Sequence, residues 1–237
     1  MKLGIIGGLG PLASSYFYEL LTKMSDVHHD QEHLEIYLHS CPRIPDRTEY
    51  ILDHRKPSPI LELIQVAKEL EAAGVDMIAI PCITAHYFHE ELSQVVDIPI
   101  IHLIQEVRNY ILRKQVKKVG IMATDGTIQS QIFQKELKEY NIDCCIPSIE
   151  YQKDVMHIIY DNVKCGKAIE MNCFYGIEKD LLLKGADLII LGCTELSIVN
   201  KEEKLDSLYL DAMELLSAVA LQKCQIPIKK EYQYLIK

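Results

Sequence analysis

Several things are missing from this chain, and each absence excludes something. Its 237 residues hold no Pro/Gly/Ser-rich linker and no low-complexity stretch, so nothing marks off loosely tethered pieces. No apolar run approaches the ~18 residues that a membrane-spanning helix needs, so no membrane partner is expected. Met1 to Gly8 is apolar, but it is too short for the hydrophobic region and cleavage site of a secretory signal. A soluble, cytoplasmic chain is the expectation. Positive charge is scarce too: the formal net charge is -9. Lys117-Lys118 and Lys229-Lys230 fall short of the clustered cations that grip phosphates, so no nucleic acid is expected. An acidic small substrate stays open, because one local Arg or Lys decides that. Gly4 to Gly10 lacks dinucleotide-binding spacing. No metal cluster and no pyridoxal phosphate lysine environment is legible, so neither metal nor cofactor is expected.

Eight cysteines are present, and without a secretion signal they are expected to stay reduced. Cys144-Cys145 are adjacent, which is not zinc-ligand spacing. Cys41, Cys144, Cys145, Cys165, Cys173 and Cys224 read as small buried hydrophobes or bystander thiols. Cys82 and Cys193 stand apart, because of where they fall in the pattern of the chain.

With 49% hydrophobic and 25% charged residues, the chain can build a proper core as one large domain or two small ones. Lys2 to Gly7 reads as a strand, Leu12 to Met24 as a helix, and Leu34 to Ser40 as a second strand. Ser58 to Ala73 has helical spacing with Gly74 as its C-cap, and Met77 to Ile80 is a buried strand ending at Pro81-Cys82. Alternation of this kind predicts an α/β fold with mainly parallel sheets flanked by helices. The second half then repeats the first. Gly4 and Gly120, Gly10 and Gly126, and Phe17 and Phe133 are each 116 positions apart. Gly74-Val-Asp-Met-Ile-Ala-Ile-Pro-Cys82 matches Gly185-Ala-Asp-Leu-Ile-Ile-Leu-Gly-Cys193 at an offset of 111. Any single match is ordinary for an α/β protein. Two in the same order, both ending a strand in cysteine, indicate two pseudo-twofold-related halves. The expected halves are residues 1–105, carrying Cys82, and 106–237, carrying Cys193. A helix from about residue 207 is expected to pack back on the first half.

Ligands of parallel sheets bind beyond the carboxyl ends of the strands, so the two cysteines are expected to face each other across a cleft. Inverting a carbon that bears one hydrogen needs a base on one face and an acid on the other. Thiols, with an ordinary pKa of ~8.5, serve either role after modest stabilisation. Each cysteine is expected to precede a helix, whose free N–H groups and dipole favour thiolates and bind carboxylates. Taken singly, a strand-end cysteine reads as a buried structural thiol. The matched pair reverses that reading.

The motifs resemble a known family. Gly7-Gly8-Leu9-Gly10-Pro11-Leu12-Ala13, Ile44-Pro45-Asp46-Arg47-Thr48, Pro81-Cys82-Ile83-Thr84-Ala85-His86 and Gly192-Cys193-Thr194-Glu195-Leu196 occur in the order seen in aspartate racemases, part of the aspartate/glutamate racemase superfamily. The resemblance runs from about Lys2 to about Leu216. It implies a cofactor-independent racemase of L- and D-aspartate, with glutamate second, acting on an amino-acid substrate with carboxylates as a homodimer. It implies that Cys82 and Cys193 are the catalytic thiols. Arg47 then pairs with the substrate's side-chain carboxylate, with Lys164 as a second cation. Thr84 and Ala85 would supply donors to the α-carboxylate. Thr124, Thr127, Thr194 and Glu195 would line the other half, and Gly8 and Gly10 would let the first loop approach the ligand. From the residues alone, Arg47 reads first as a surface ion-pair partner and Lys164 as a solvated helix lysine. Glu195 reads as a helix-start carboxylate or as an orienter of the substrate amine, and His86 as a supporting residue.

One position departs from the family, which usually has Asn after the first cysteine, where this chain has Ile83. Isoleucine cannot hydrogen-bond the substrate, and a lost bond to a charged group costs on the order of 1.5–3 kcal/mol. The departure leaves room for a less acidic amino acid, for a maleate-isomerase-like reaction, or, in a different class, for a non-catalytic amino-acid-binding protein.

Overall fold

The computed structural model describes residues 1–237. The first half contains β1 (Lys2–Gly7), α1 (Pro11–Met24), β2 (Glu35–Ser40), α2 (Arg47–Leu52), α3 (Ile60–Ala72), β3 (Met77–Ala79), α4 (His89–Ser93) and α5 (Leu103–Arg113). The second contains β4 (Lys118–Ala123), α6 (Asp125–Ser130), α7 (Ile132–Lys138), β5 (Asp143–Cys145), α8 (Ile149–His157) and α9 (Met171–Leu183). It continues with β6 (Leu188–Gly192), α10 (Thr194–Glu203), β7 (Tyr209–Asp211) and α11 (Ala212–Lys223). The sheets run β2-β1-β3 and β5-β4-β6-β7, and every strand pairing is parallel. A lone parallel bridge from Ile78 to Ile100 stands in the first sheet where β7 stands in the second.

The repeat read from the residues holds to the register. Leu3 pairs with Met77 and Val119 with Leu188, so both sequence offsets are met at once. The Lys2 N–H donates to the Asp76 carboxylate at 2.6 Å, and the Lys118 N–H to Asp187 at 3.1 Å. The aspartate of each Gly-x-Asp phrase therefore clips the start of the neighbouring strand. Gly4 and Gly120 are each pressed by a helix. A Cβ on Gly4 would lie 2.9 Å from Val75 Cγ2, and one on Gly120 would lie 3.1 Å from Leu181 Cδ1. Gly74 and Gly185, at φ +78 and +86, end α3 and α9 in the left-handed conformation that an L-residue resists.

Packing ties the halves together. On the first sheet, Leu3, Ile5, Met77 and Ala79 face a core shared with Val119, Ile121, Leu188 and Ile190. Its other face, with Ile6, Ile78 and Ile80, packs on a smaller core with Leu63, Val66 and Leu70 of α3. Phe17 and Phe133, at equivalent places, are fully buried; a phenylalanine so placed contributes about 1.5–3 kcal/mol. A border at residue 105 cuts α5, a continuous helix that packs on α7 and α11, so the repeats meet instead at the turn between α5 and β4. Near residue 207 the chain makes β7 before any helix. The last α-helix starts at Ala212 because the Asp211 carboxylate caps it, accepting from the Met213 and Glu214 N–H groups. That helix, α11, packs against α1 of the first half and against α5.

Candidate active site

The cysteines leave the carboxyl ends of β3 and β6 and line a single small cavity of about 20 Å³. Cys82, Ile83 and Thr84 enter it from the first half; Thr124, Cys193, Thr194 and Glu195 enter from the second. Leu9, Asp46, Arg47, Thr48, Tyr160 and Lys164 complete the wall. That volume is room for about one water. Beside it lies a chamber of about 460 Å³ that shares Leu9, Asp46, Arg47, Lys164 and Glu195 with it.

Cys193 is the N-cap of α10, in extended conformation, with its carbonyl accepting from the Leu196 N–H. Its thiol donates to Glu195 Oε2 at 2.9 Å, and the Thr194 hydroxyl donates to the same oxygen at 3.0 Å. Burial, then the Glu195 charge and this hydrogen bond, push the Cys193 thiol well above its ordinary pKa, against the pull of the Glu195 N–H and Lys164. Cys193 is therefore held as a thiol. Four residues after Cys193, the buried Ser197 hydroxyl donates to Asp211 at 2.7 Å, and Asn200 donates to it at 3.0 Å, which anchors α10.

Cys82 is followed not by an α-helix but by a 3-10 turn, Ile83–Phe88, and then by the short α4. Ile-Thr-Ala-His-Tyr-Phe is rich in β-branched and aromatic residues, poor helix formers. Arg47, only 8% exposed, lies against Cys82. Burial opposes its charge, but Cys82, Asp46 and Tyr160 outweigh that and hold the guanidinium ionised. Its Nη2 donates to the Leu9 carbonyl at 2.7 Å, and its Nη1 to those of Pro45 at 3.1 Å and Ile44 at 3.4 Å. Its Nε is buried without a partner. His86 packs behind the turn near His89 and His102, its Nε2 3.0 Å from the Ile80 carbonyl and its Nδ1 unpartnered. Burial, then His89, lowers its pKa to about 3, so it is a neutral packing residue. The three rings form no metal-binding group.

Lys164 is exposed at the mouth, on the residue after a π-helical turn, Ile158–Val163. Its ammonium sits 3.8 Å from the Tyr160 ring centroid. The cavity walls lower its pKa, but attraction from Glu195, Tyr160, Cys193 and Asp46 more than compensates, and the net shift is upward.

The halves meet through hydroxyls and glycines. Thr84 Oγ1 lies 3.1 Å from Thr124 Oγ1 and 3.0 Å from Thr127 Oγ1, a buried triangle joining the two repeats. Gly10 and Gly126 occupy equivalent positions, and each makes room for the opposite half. A Cβ on Gly10 would lie 2.9 Å from Glu195 Oε1; one on Gly126 would lie 2.8 Å from Thr48 Cα. Gly8, at φ +84, has the Cys41 N–H nitrogen 2.4 Å from where its Cβ would be. Both expected loop glycines border the outer chamber, yet their close approaches are to protein.

Most of the expected residues therefore converge, with two exceptions. Ala85 is fully buried in the smaller core, and its N–H is taken by the Cys82 carbonyl, so it is no free donor. Thr127 lies behind the cavity and reaches it through Thr84 and Thr124. Ile83 lines the cavity and is also packed in the shared core. Asp46 and Tyr160 were not assigned from sequence, although Asp46 stands beside Arg47 in its motif and Tyr160 four residues before Lys164. The Tyr160 hydroxyl stands 3.5 Å from Asp46, a contact across the cleft that no local pattern encodes.

Comparison with known proteins identifies the family and the fold. The Asp/Glu/hydantoin racemase family model matches residues 6–220. The broad specificity amino-acid racemase RacX of Bacillus subtilis is 29% identical over 235 residues, covering 98% of this chain and 99% of that protein. The solved aspartate racemase of Picrophilus torridus superposes with TM-score 0.85 at 31% identity over 99% of both chains. A glutamate racemase from Francisella tularensis, in complex with D-glutamate, shares the fold, with TM-score 0.64 at 20% identity over 97% of this chain and 84% of that one. The chain belongs to the Asp/Glu/hydantoin racemase family. Its enzyme class within that family is amino-acid racemase, an isomerase. No helix is long and apolar enough to cross a membrane.

Proposed function

We propose that this enzyme inverts Cα of an amino acid by moving one proton between Cys82 and Cys193, without a cofactor. The observation that carries the reading is that thiols from two separate strand ends line one cavity. Cys193 is held protonated by Glu195, so it is the acid ready to deliver to one face. Cys82, with the Arg47 cation beside it, takes the Cα proton from the other. Negative charge then builds on the α-carboxylate, within reach of the Thr84, Thr124 and Thr194 groups and the first turn of α10, and fixed donors stabilise such charge. The reverse reaction exchanges the roles.

Substrate reaches this small cavity from the outer chamber, through the neck that the two share at Arg47 and Lys164. Motif resemblance implies aspartate, then glutamate, as substrates, and the Picrophilus neighbour bears the aspartate racemase name. The proposed setting is a homodimer in the cytoplasm, where eight unpaired thiols stay reduced.

The test is solvent-deuterium exchange at Cα across a panel of amino acids, followed by chiral chromatography. Exchange with inversion is the expected result. Maleate turnover without exchange would instead make it an isomerase of another kind, and silence throughout would leave a binding protein.

A further inference from the structure

The outer chamber bears on which side chain the enzyme accepts. This inference rests on the racemase reading and narrows its substrate. If Cα sits between the thiols, the side chain must point outward, past Arg47 and Lys164, into the chamber of about 460 Å³. That lies within the 300–1,000 Å³ range of ordinary ligand pockets, and it is far more than a methylene carboxylate fills.

The two cations at its neck are already engaged. Both Nη groups of Arg47 donate to main-chain carbonyls of Leu9, Ile44 and Pro45. Three of its five N–H groups are spent this way, and a carboxylate arriving there finds only the Nε–H and one Nη2–H uncommitted. Lys164 sits over the Tyr160 ring and is attracted by Glu195 and Asp46. Two cations face two carboxylates, Asp46 and Glu195, at one neck. No surplus positive charge remains for a third carboxylate.

Beyond the neck the wall is apolar: Leu12, Pro42, Ile44, Val163 and Ile198 line it. Leu12, 60% exposed on the first turn of α1, forms its rim. On the reacting side, Ile83 lines the small cavity with an aliphatic chain that offers no hydrogen bond. We infer that the chamber is a side-chain subsite for neutral aliphatic amino acids of leucine or methionine size, and that aspartate is a poor substrate.

The experiment measures kcat/KM by Cα deuterium exchange for L-alanine, L-methionine, L-leucine, L-aspartate and L-glutamate on the full-length enzyme. Methionine or leucine should exceed aspartate, glutamate and alanine by at least tenfold; a smaller margin overturns the inference while leaving the racemase intact. No exchange with any member overturns the racemase reading and the inference with it. Ile198→Phe narrows the chamber from the α10 side. It should raise the alanine-to-methionine ratio of kcat/KM at least tenfold, and an unchanged ratio also overturns the assignment. The wild-type panel decides by itself should that variant fail to fold.

Discussion

Cys82 and Cys193 end equivalent strands of a repeated frame, yet opposite charges surround them. Behind Cys82 comes Ile83, where the second half has Thr194; Thr84 answers to Glu195, and His86 to Ser197. A guanidinium lies beside the first sulfur and a carboxylate accepts the second sulfur's proton. The first turn is backed by a neutral, buried histidine; the second is tied through Ser197 to the carboxylate of Asp211. The repeat thus places two thiols at equivalent strand ends, while their neighbours set a cation beside Cys82 and a carboxylate beside Cys193. Geometry was copied and electrostatics diverged.

The strongest way to break this comparison is to remove one thiol at a time. Cys82→Ala and Cys193→Ala should each abolish racemisation, a loss on the order of 10²–10⁴-fold for an acid or base in place. Each should still exchange Cα hydrogen from one enantiomer, and the two variants should differ in which one. If either variant exchanged both enantiomers alike, the opposed roles would be wrong.

Arg47→Ala comes next. Because the guanidinium props the carbonyls of Leu9, Ile44 and Pro45 and flanks Cys82, every substrate should suffer, by on the order of 10–100-fold in kcat/KM, given charged hydrogen bonds worth about 1.5–3 kcal/mol each. Steady-state kinetics on acidic and neutral substrates would check it. A loss confined to acidic ones would return Arg47 to the role of side-chain clamp that motif resemblance implies.

The smallest effect sharpens the other half. Glu195→Gln keeps an acceptor beside Cys193 but removes its charge, so kcat should fall about tenfold. Glu195 raises the Cys193 pKa, so without that charge the thiolate should form at lower pH. Thiolate ultraviolet absorbance in a Cys82→Ala background would report it, and an unmoved titration would refute the pairing.

Legibility followed the range of the forces involved. Gly74 and Gly185 announced helix ends because a positive φ is a local demand, and continuous apolar runs announced β1, β3, β4 and β6. Three-residue β7 was too short to show periodicity, and the helix expected at about residue 207 starts only where Asp211 caps it. Ala85 carried a family role by position alone, but its N–H bonds back to Cys82 within the 3-10 turn. Tyr160 had no role from sequence, because its approach to Asp46 spans 114 positions of chain.

By itself, the order of residues determined the α/β repeat, the strand ends that carry cysteine and the family to which the chain belongs. These depend on period, caps and identity, all written within short stretches. Tertiary structure alone decided that Arg47 spends its Nη donors on carbonyls, that Glu195 holds the Cys193 proton, and that an apolar chamber adjoins the thiols. Those outcomes depend on which distant groups burial brings together, since a charge out of water takes whatever partner the fold puts within reach.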